Sequence, residues 1–226
     1  MSTNRERDRE ARPKAGDCWK GRGDATPFVP GVPDPVPTAR SLGALFAGMA
    51  CCTRCELAAG RTQVVPGVGP RRAAVLLLGE APGAEEDRNG MPFVGRAGRL
   101  LDRLLDAAGL ERRSVFITNV VACRPPGNRT PRAAEIRAHA PWLEHQLRLV
   151  RPRLIVTLGR VALGYFIRGA KVTELRGKET TVEHDGRQIT ILPTLHPAAA
   201  LRAPDLLPSL EADFRKIRGI LARLGG

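Results

Sequence analysis

The sequence predicts an α/β fold, a parallel sheet with crossover helices, and two observations predict it. From Ala73 onward short apolar runs alternate with amphipathic stretches, the pattern of strands buried on both faces and helices packed on one. The length of 226 residues suits one such domain plus a tail. A chain of this size buries roughly 70% of the surface its unfolded form exposes, enough to set a pocket on a packed core.

Taken in order, residues 1–40 are rich in Arg, Pro, Gly and Asp and poor in apolar side chains, so burial cannot offset the entropy of ordering them. A basic, disordered tail is expected there, with the domain spanning 41–226. A helix begins near Ser41 and leads into a cysteine pair. Strands are expected at 73–78, 115–119, 154–158 and 189–193, which makes a four-stranded sheet. Helices are expected around 97–108, 131–150, 160–167 and 208–224. Thr130-Pro131 supports the second start, because Thr can cap free amides and Pro suits the first helical position. In open sheets of this type ligands bind beyond the carboxyl ends of the strands, which directs attention to Gly79-Glu80, Asn119 and 194–197.

Charge narrows the partner. Lys and Arg outnumber Asp and Glu by 36 to 23, and the pI is near 10.8. A polyanion is implied, nucleic acid ahead of an anionic membrane. No apolar run approaches the ~20 residues of a membrane span. The opening MSTNRERDREARPKAG lacks the apolar core of a secretory signal, so a cytoplasmic protein with no membrane attachment is expected. Cysteines stand at 18, 51, 52, 55 and 123, an odd and uneven set that points to metal chemistry in a reducing compartment.

The first strand runs into GEAPGAEEDRNGMPFVG. Gly79, Pro82 and Gly83 permit a tight turn, and Glu80 at the strand's carboxyl end is placed to activate water or stabilise a cation. A glycine-rich turn with solvated acids is the ordinary alternative. Phe93 is a large aromatic in a polar loop and needs a cover, the core or a ligand. The second strand ends in TNVVACRPPGNRTP, where Asn119 presents an acceptor and a donor side by side, unless it merely bonds its own backbone. The last strand gives way to LPTLHPAAALR, which places His196 to donate to a carbonyl gaining negative charge, or to serve structurally.

Together, CTRC, GEAPGAEED, GMPFVG, TNVVACRPPGNR and LHPAAALR, in this order from Cys52 to Arg202, resemble the family 4 uracil-DNA glycosylases. The resemblance implies a three-layer α/β/α sandwich with a central, mostly parallel sheet. It implies a monomeric base-excision enzyme that hydrolyses the N-glycosidic bond of uracil in single- or double-stranded DNA and leaves an abasic site. Gly79, Glu80 and Ala81 would line the uracil pocket and Phe93 would stack on the flipped base. Asn119 would read the N3–H and O4 edge, and His196 would face O2. Glu80 and His196 would be the catalytic pair. Other uracil glycosylases carry an Asp at the place of Ala81, so direct water activation by that group is absent; Glu85, Glu86 and Asp87 are substitutes to weigh beside Glu80. A related group traps the sugar through a histidine on an inserted loop, whereas here Cys123 leads directly into RPPGNR, and turnover is expected. The stretch 197–202 would be a wedge loop, with Leu201 or Arg202 filling the vacated stack.

The resemblance also implies a 4Fe-4S cluster held by four cysteines. Three are present, Cys52, Cys55 and Cys123, and the fourth position is His139. Imidazole ligates iron in some iron-sulfur centres, and Cys₃His equally suits zinc. Ile136 and Leu143 share the helix face of His139, which would make it a core residue instead; Cys51 and Cys18 are alternative ligands. His145 and His184 fit no motif and are expected on a solvated surface. Two further functions stay open: a catalytically weak or silent DNA-binding relative stabilised by a metal site, and a zinc-stabilised nucleic-acid module with no pocket.

Overall fold

The computed structural model describes residues 39–225. The expected tail, apart from its last two residues, and Cys18 lie outside the described residues. In chain order the elements are α1 (Leu42–Ala50), α2 (Leu57–Gly60), β1 (Val75–Gly79), α3 (Ala84–Asn89), α4 (Arg96–Ala107), β2 (Phe116–Asn119), α5 (Ala133–Val150), β3 (Leu154–Leu158), α6 (Arg160–Phe166), α7 (Val172–Leu175), β4 (Thr180–His184), β5 (Arg187–Thr194), α8 (Pro197–Arg202) and α9 (Leu207–Arg223).

The sheet has five strands in the order β2-β1-β3-β5-β4, not the four expected. The first four are parallel, and β4 pairs antiparallel with β5. Sequence reading missed β4 because TTVEH is polar and its side chains alternate between half-buried and exposed at the sheet's edge. A signal was present, though: Asp185-Gly186 is a hairpin dipeptide, and both residues adopt positive φ, 51° and 68°.

Alternation along the strands divides the core between two faces. Val75, Leu77, Val156 and Leu158 point to α4, α8 and α9, where Leu101, Leu105, Phe214 and Ile217 meet them. Leu76, Leu78 and Ile155 point the other way, to Leu143 and Leu147 of α5 and Ala162 of α6. This gives the expected three layers. Helix α1 is capped by the Ser41 hydroxyl and packs Leu45 and Met49 beside Trp142 of α5.

Two local expectations are corrected. Helix α5 starts at Ala133 rather than Pro131, and Thr130 is not its cap; the Glu135 carboxylate instead accepts from the Arg132 amide at 2.6 Å. Residues 197–202 form α8 and not a loop, because Pro197 sits in the first helical position and the His196 side chain caps the helix.

Candidate active site

The pocket opens where sequence reading placed it, beyond the carboxyl ends of β1, β2 and β5. It is a cavity of about 450 Å³ lined by Glu80, Ala81, Phe93, Asn119, Thr130, His196 and Arg202, among others. Gly79 and Asn119 are register partners at the ends of β1 and β2. A Cβ on Gly79 would lie 2.3 Å from Asn119 Oδ1 and 2.6 Å from Phe93 Cζ, so only glycine lets these two side chains meet.

Phe93 is buried and holds a φ of 53°, unusual for a bulky residue. Its ring stacks on the His196 imidazole with centroids 5.6 Å apart and planes 27° from parallel. The backbone is clamped from two sides. A Cβ on Gly98 would come within 1.9 Å of the Phe93 carbonyl oxygen, so α4 can approach this turn only through a glycine. Glu86 accepts from the Val94 and Gly95 amides at 3.0 and 2.8 Å and from Gly83 at 3.1 Å. One carboxylate thus ties together both turns of the pocket.

Asn119 is buried, and its Oδ1 has no hydrogen-bond partner among the described residues. Leaving a buried acceptor unpaired costs about 1–3 kcal/mol, which a ligand N–H would recover. Glu80 is half-buried. Loss of hydration pushes its carboxyl above the usual range, partly opposed by a Thr130 hydroxyl bond and the Arg160 guanidinium. Desolvation pulls the His196 imidazole down to about 4, and the nearby Arg202 cation adds to this. Its Nδ1 accepts from the Ala198 amide at 3.1 Å, so the neutral ring carries its proton on Nε2. The other acids of the segment are committed elsewhere: Glu85 is exposed and paired with Arg88, and both Asp87 oxygens accept from the Thr62 amide at 3.0 and 3.1 Å. Arg202 is exposed at the rim, whereas Leu201 is half-buried against the core.

Residues 66–221 match the uracil DNA glycosylase superfamily. The chain belongs to that family. It is 46% identical over 173 residues to a type-4 uracil-DNA glycosylase of Sulfurisphaera tokodaii, covering 74% of this chain and 79% of that protein. Identity to a type-4 uracil-DNA glycosylase of Saccharolobus solfataricus is 45% over 177 residues, 76% and 82% of the two chains. With that of Archaeoglobus fulgidus it is 42% over 171 residues, 74% and 86%.

The cysteines gather on the other face of β1 and β2, around α5. Cys55 Sγ lies 3.9 Å from His139 Nδ1, and Cys52, Cys55 and Cys123 feel one another's charge. Among the described residues no three of these groups stand close enough together to form a metal-ligating set. The chemistry around them nevertheless fits a group that binds thiolates. The Arg61 guanidinium donates to Cys123 Sγ at 3.2 Å and the Trp142 indole N–H to Cys52 Sγ at 3.3 Å. Burial pushes the Cys123 thiol up to about 11 against the pull of Arg61, and raises Cys55 as well. His139 is buried, and its Nδ1–H donates to the Glu135 carbonyl at 2.8 Å, so Nε2 is the nitrogen with a lone pair to offer. Cys51 is half-buried beside them.

Sequence reading weighed Glu86 only as a substitute acid and Thr130 only as a helix cap, and it missed Arg61 and Trp142. For Glu86 the signal was its place three residues after the turn glycine Gly83. For Arg61 and Trp142 there was none, because their partners come from distant parts of the chain. The two histidines expected at a solvated surface are not there: His145 is buried with Nε2 2.6 Å from the Ala39 carbonyl, and His184 is half-buried and 2.8 Å from Glu144.

Proposed function

We propose that this chain excises uracil from DNA by hydrolysing its N-glycosidic bond and leaves an abasic site. The observation that carries the reading is the unpartnered Asn119 Oδ1, buried in a cavity whose other polar groups suit the remaining edges of the base. The target nucleotide leaves the stack at a cost of a few kcal/mol. Asn119 accepts from uracil N3–H and donates to O4, while Ala81 and Phe93 supply apolar surface for the ring. Cytosine offers an acceptor at N3 and a donor at N4, so it leaves both Asn119 groups mismatched.

Bond breaking places negative charge on the base at O2 and positive charge on the sugar. The neutral His196 donates from Nε2 toward O2, a bond that strengthens as charge develops. A neutral imidazole can donate without first creating a buried cation. Glu80, held by Thr130, stabilises the sugar cation and orients water. Arg202 at the rim fills the vacated stack; Leu201 would have to leave its packing to do so. A monomer acting on DNA in the cytoplasm is part of this reading, and among the described residues no helix is long and apolar enough to cross a membrane.

Cys52, Cys55, Cys123 and His139 are proposed to hold a 4Fe-4S cluster, with zinc as the alternative occupant. Bound there, the group cross-links three chain segments. Arg61 and Trp142 direct N–H donors at the sulfurs, and the Arg61 cation offsets thiolate charge.

Incubation with uracil-containing duplex, without added metal or nucleotide, followed by alkaline cleavage, tests the activity. Free uracil and a cut strand are expected. Binding without release, even at high enzyme concentration, would instead favour a silent relative.

A further inference from the structure

We infer that the opposite end of the sheet carries a second, non-catalytic site for the sugar-phosphate backbone of DNA, which lets one molecule hold two DNA segments. There a groove of about 610 Å³ is lined by Arg71, Arg72, Arg148, Arg151 and Arg153. All five are exposed, and no carboxylate lines the groove. Among the described residues none of the five stands in an ion pair with an acid. Glu144, one turn before Arg148 on α5, is within electrostatic reach but already takes Tyr165 and His184 on its two oxygens.

The arginines come from different segments that the fold brings together. Arg71 and Arg72 precede β1, Arg153 precedes β3, and Arg148 and Arg151 close α5. The carbonyls at the end of α5 favour cations nearby, which accounts for Arg148 and Arg151 alone. It does not account for the other three. Arg151 also holds a φ of 52° at the helix cap, where glycine is the favoured residue, so a cationic side chain stands at a place that backbone preference alone would not give it. Guanidinium groups match phosphate oxygens through paired N–H bonds. Of the lining side chains outside the arginines, Val150 and Ala73 are buried and Leu149 and Ala74 half-buried, so the groove offers little apolar anchorage of the kind a peptide would use.

Position decides what such a site can do. The groove lies at the amino ends of β1 and β3, and the pocket lies at the carboxyl end of β1. A five-residue strand separates them by about 13 Å or more. DNA lying across the pocket therefore leaves the groove facing away, toward a different stretch of nucleic acid. An enzyme holding two segments passes from one to the other without full release, which speeds the search for rare lesions.

The test follows dissociation from a fluorescent, uracil-free duplex after a chase with unlabelled duplex at rising concentration. It needs no excision, so it stands or falls separately from the glycosylase reading. For the natural chain the rate should rise with chase concentration, because the chase binds before the first duplex leaves. The variant R71Q/R72Q/R148Q/R151Q should lose that dependence. The pairs R71Q/R72Q and R148Q/R151Q should each weaken it and lower the salt slope of second-duplex binding by about 0.9 per phosphate contact removed. All three should release uracil from a short single strand within twofold of the natural rate. A rate independent of chase concentration in the natural chain would overturn the inference. So would a dependence undiminished in both paired variants, which would place bridging in other basic residues. Protection of the groove by polyglutamate but not by DNA would also overturn it, in favour of an acidic protein.

Discussion

Two histidines on opposite faces of the sheet, His196 in the pocket and His139 among the cysteines, are both pulled toward the neutral form by burial, yet they offer opposite chemistry. His196 Nδ1 receives the Ala198 amide, which leaves a proton on Nε2 and makes the ring a donor. His139 Nδ1–H donates to the Glu135 carbonyl, which leaves a lone pair on Nε2 and makes that nitrogen an acceptor, the form the proposed ligand role needs. Desolvation removes the charge, but a single backbone partner selects the tautomer and with it the role. At His196 the partner is the free amide of a helix start; at His139 it is a carbonyl one turn earlier in the same helix.

The most severe break of this comparison is His196→Ala. Loss of one donor to a developing oxyanion lowers kcat by about 10²–10³-fold, while affinity for uracil-free DNA stays as it was. Single-turnover rates and binding isotherms measure the two separately, and equal losses in both would remove His196 from the chemistry.

His139→Ala should lose iron and stability together, since a group bound only by the folded chain contributes its binding energy to folding. His139→Cys should keep the iron and shift its reduction potential. Iron content, thermal midpoint and potential are the readouts. An iron-loaded His139→Ala protein as stable as its parent would make His139 a core residue and transfer the fourth position to Cys51 or an outside ligand.

A pH profile sharpens the pocket side. His196 near 4 stays neutral across the working range, so it should add no titration from about pH 5 upward. Glu80 is raised, so activity should fall on acidification at a pH above the ordinary carboxylate range as Glu80 takes up a proton. Glu80→Gln should be slow and lack that limb. Persistence of the limb in Glu80→Gln would assign it elsewhere.

The smallest effect belongs to a third histidine, His184, whose imidazole is raised chiefly by its bond to Glu144. Its stabilising contribution is present in full below the unfolded value near 6.5 and is lost as pH rises through the higher folded value. His184→Ala should cost under about 1 kcal/mol, with the difference from the parent shrinking at alkaline pH. Denaturant midpoints at two pH values read it; a difference that grows with pH would reverse the assignment.

The sequence by itself determined the strands β1, β2, β3 and β5, the long helices, and the placing of Glu80, Asn119 and His196 at strand ends around one pocket, to which the family resemblance added Phe93. It could do so because apolar runs mark buried strands and because ligand sites follow strand ends. The fifth strand was signalled in the sequence only by its Asp185-Gly186 turn, and its polar residues were paired at the sheet's edge by the tertiary structure. Tertiary structure alone turned Thr130 from an expected helix cap into the partner of Glu80, and the expected wedge loop into a helix capped by His196. It also gathered five arginines from two stretches, 71–72 and 148–153, into one groove. Tautomer, committed carboxylates and the N–H donors on sulfur depend on which groups meet across the fold, and no local pattern encodes a meeting between residues distant in the chain.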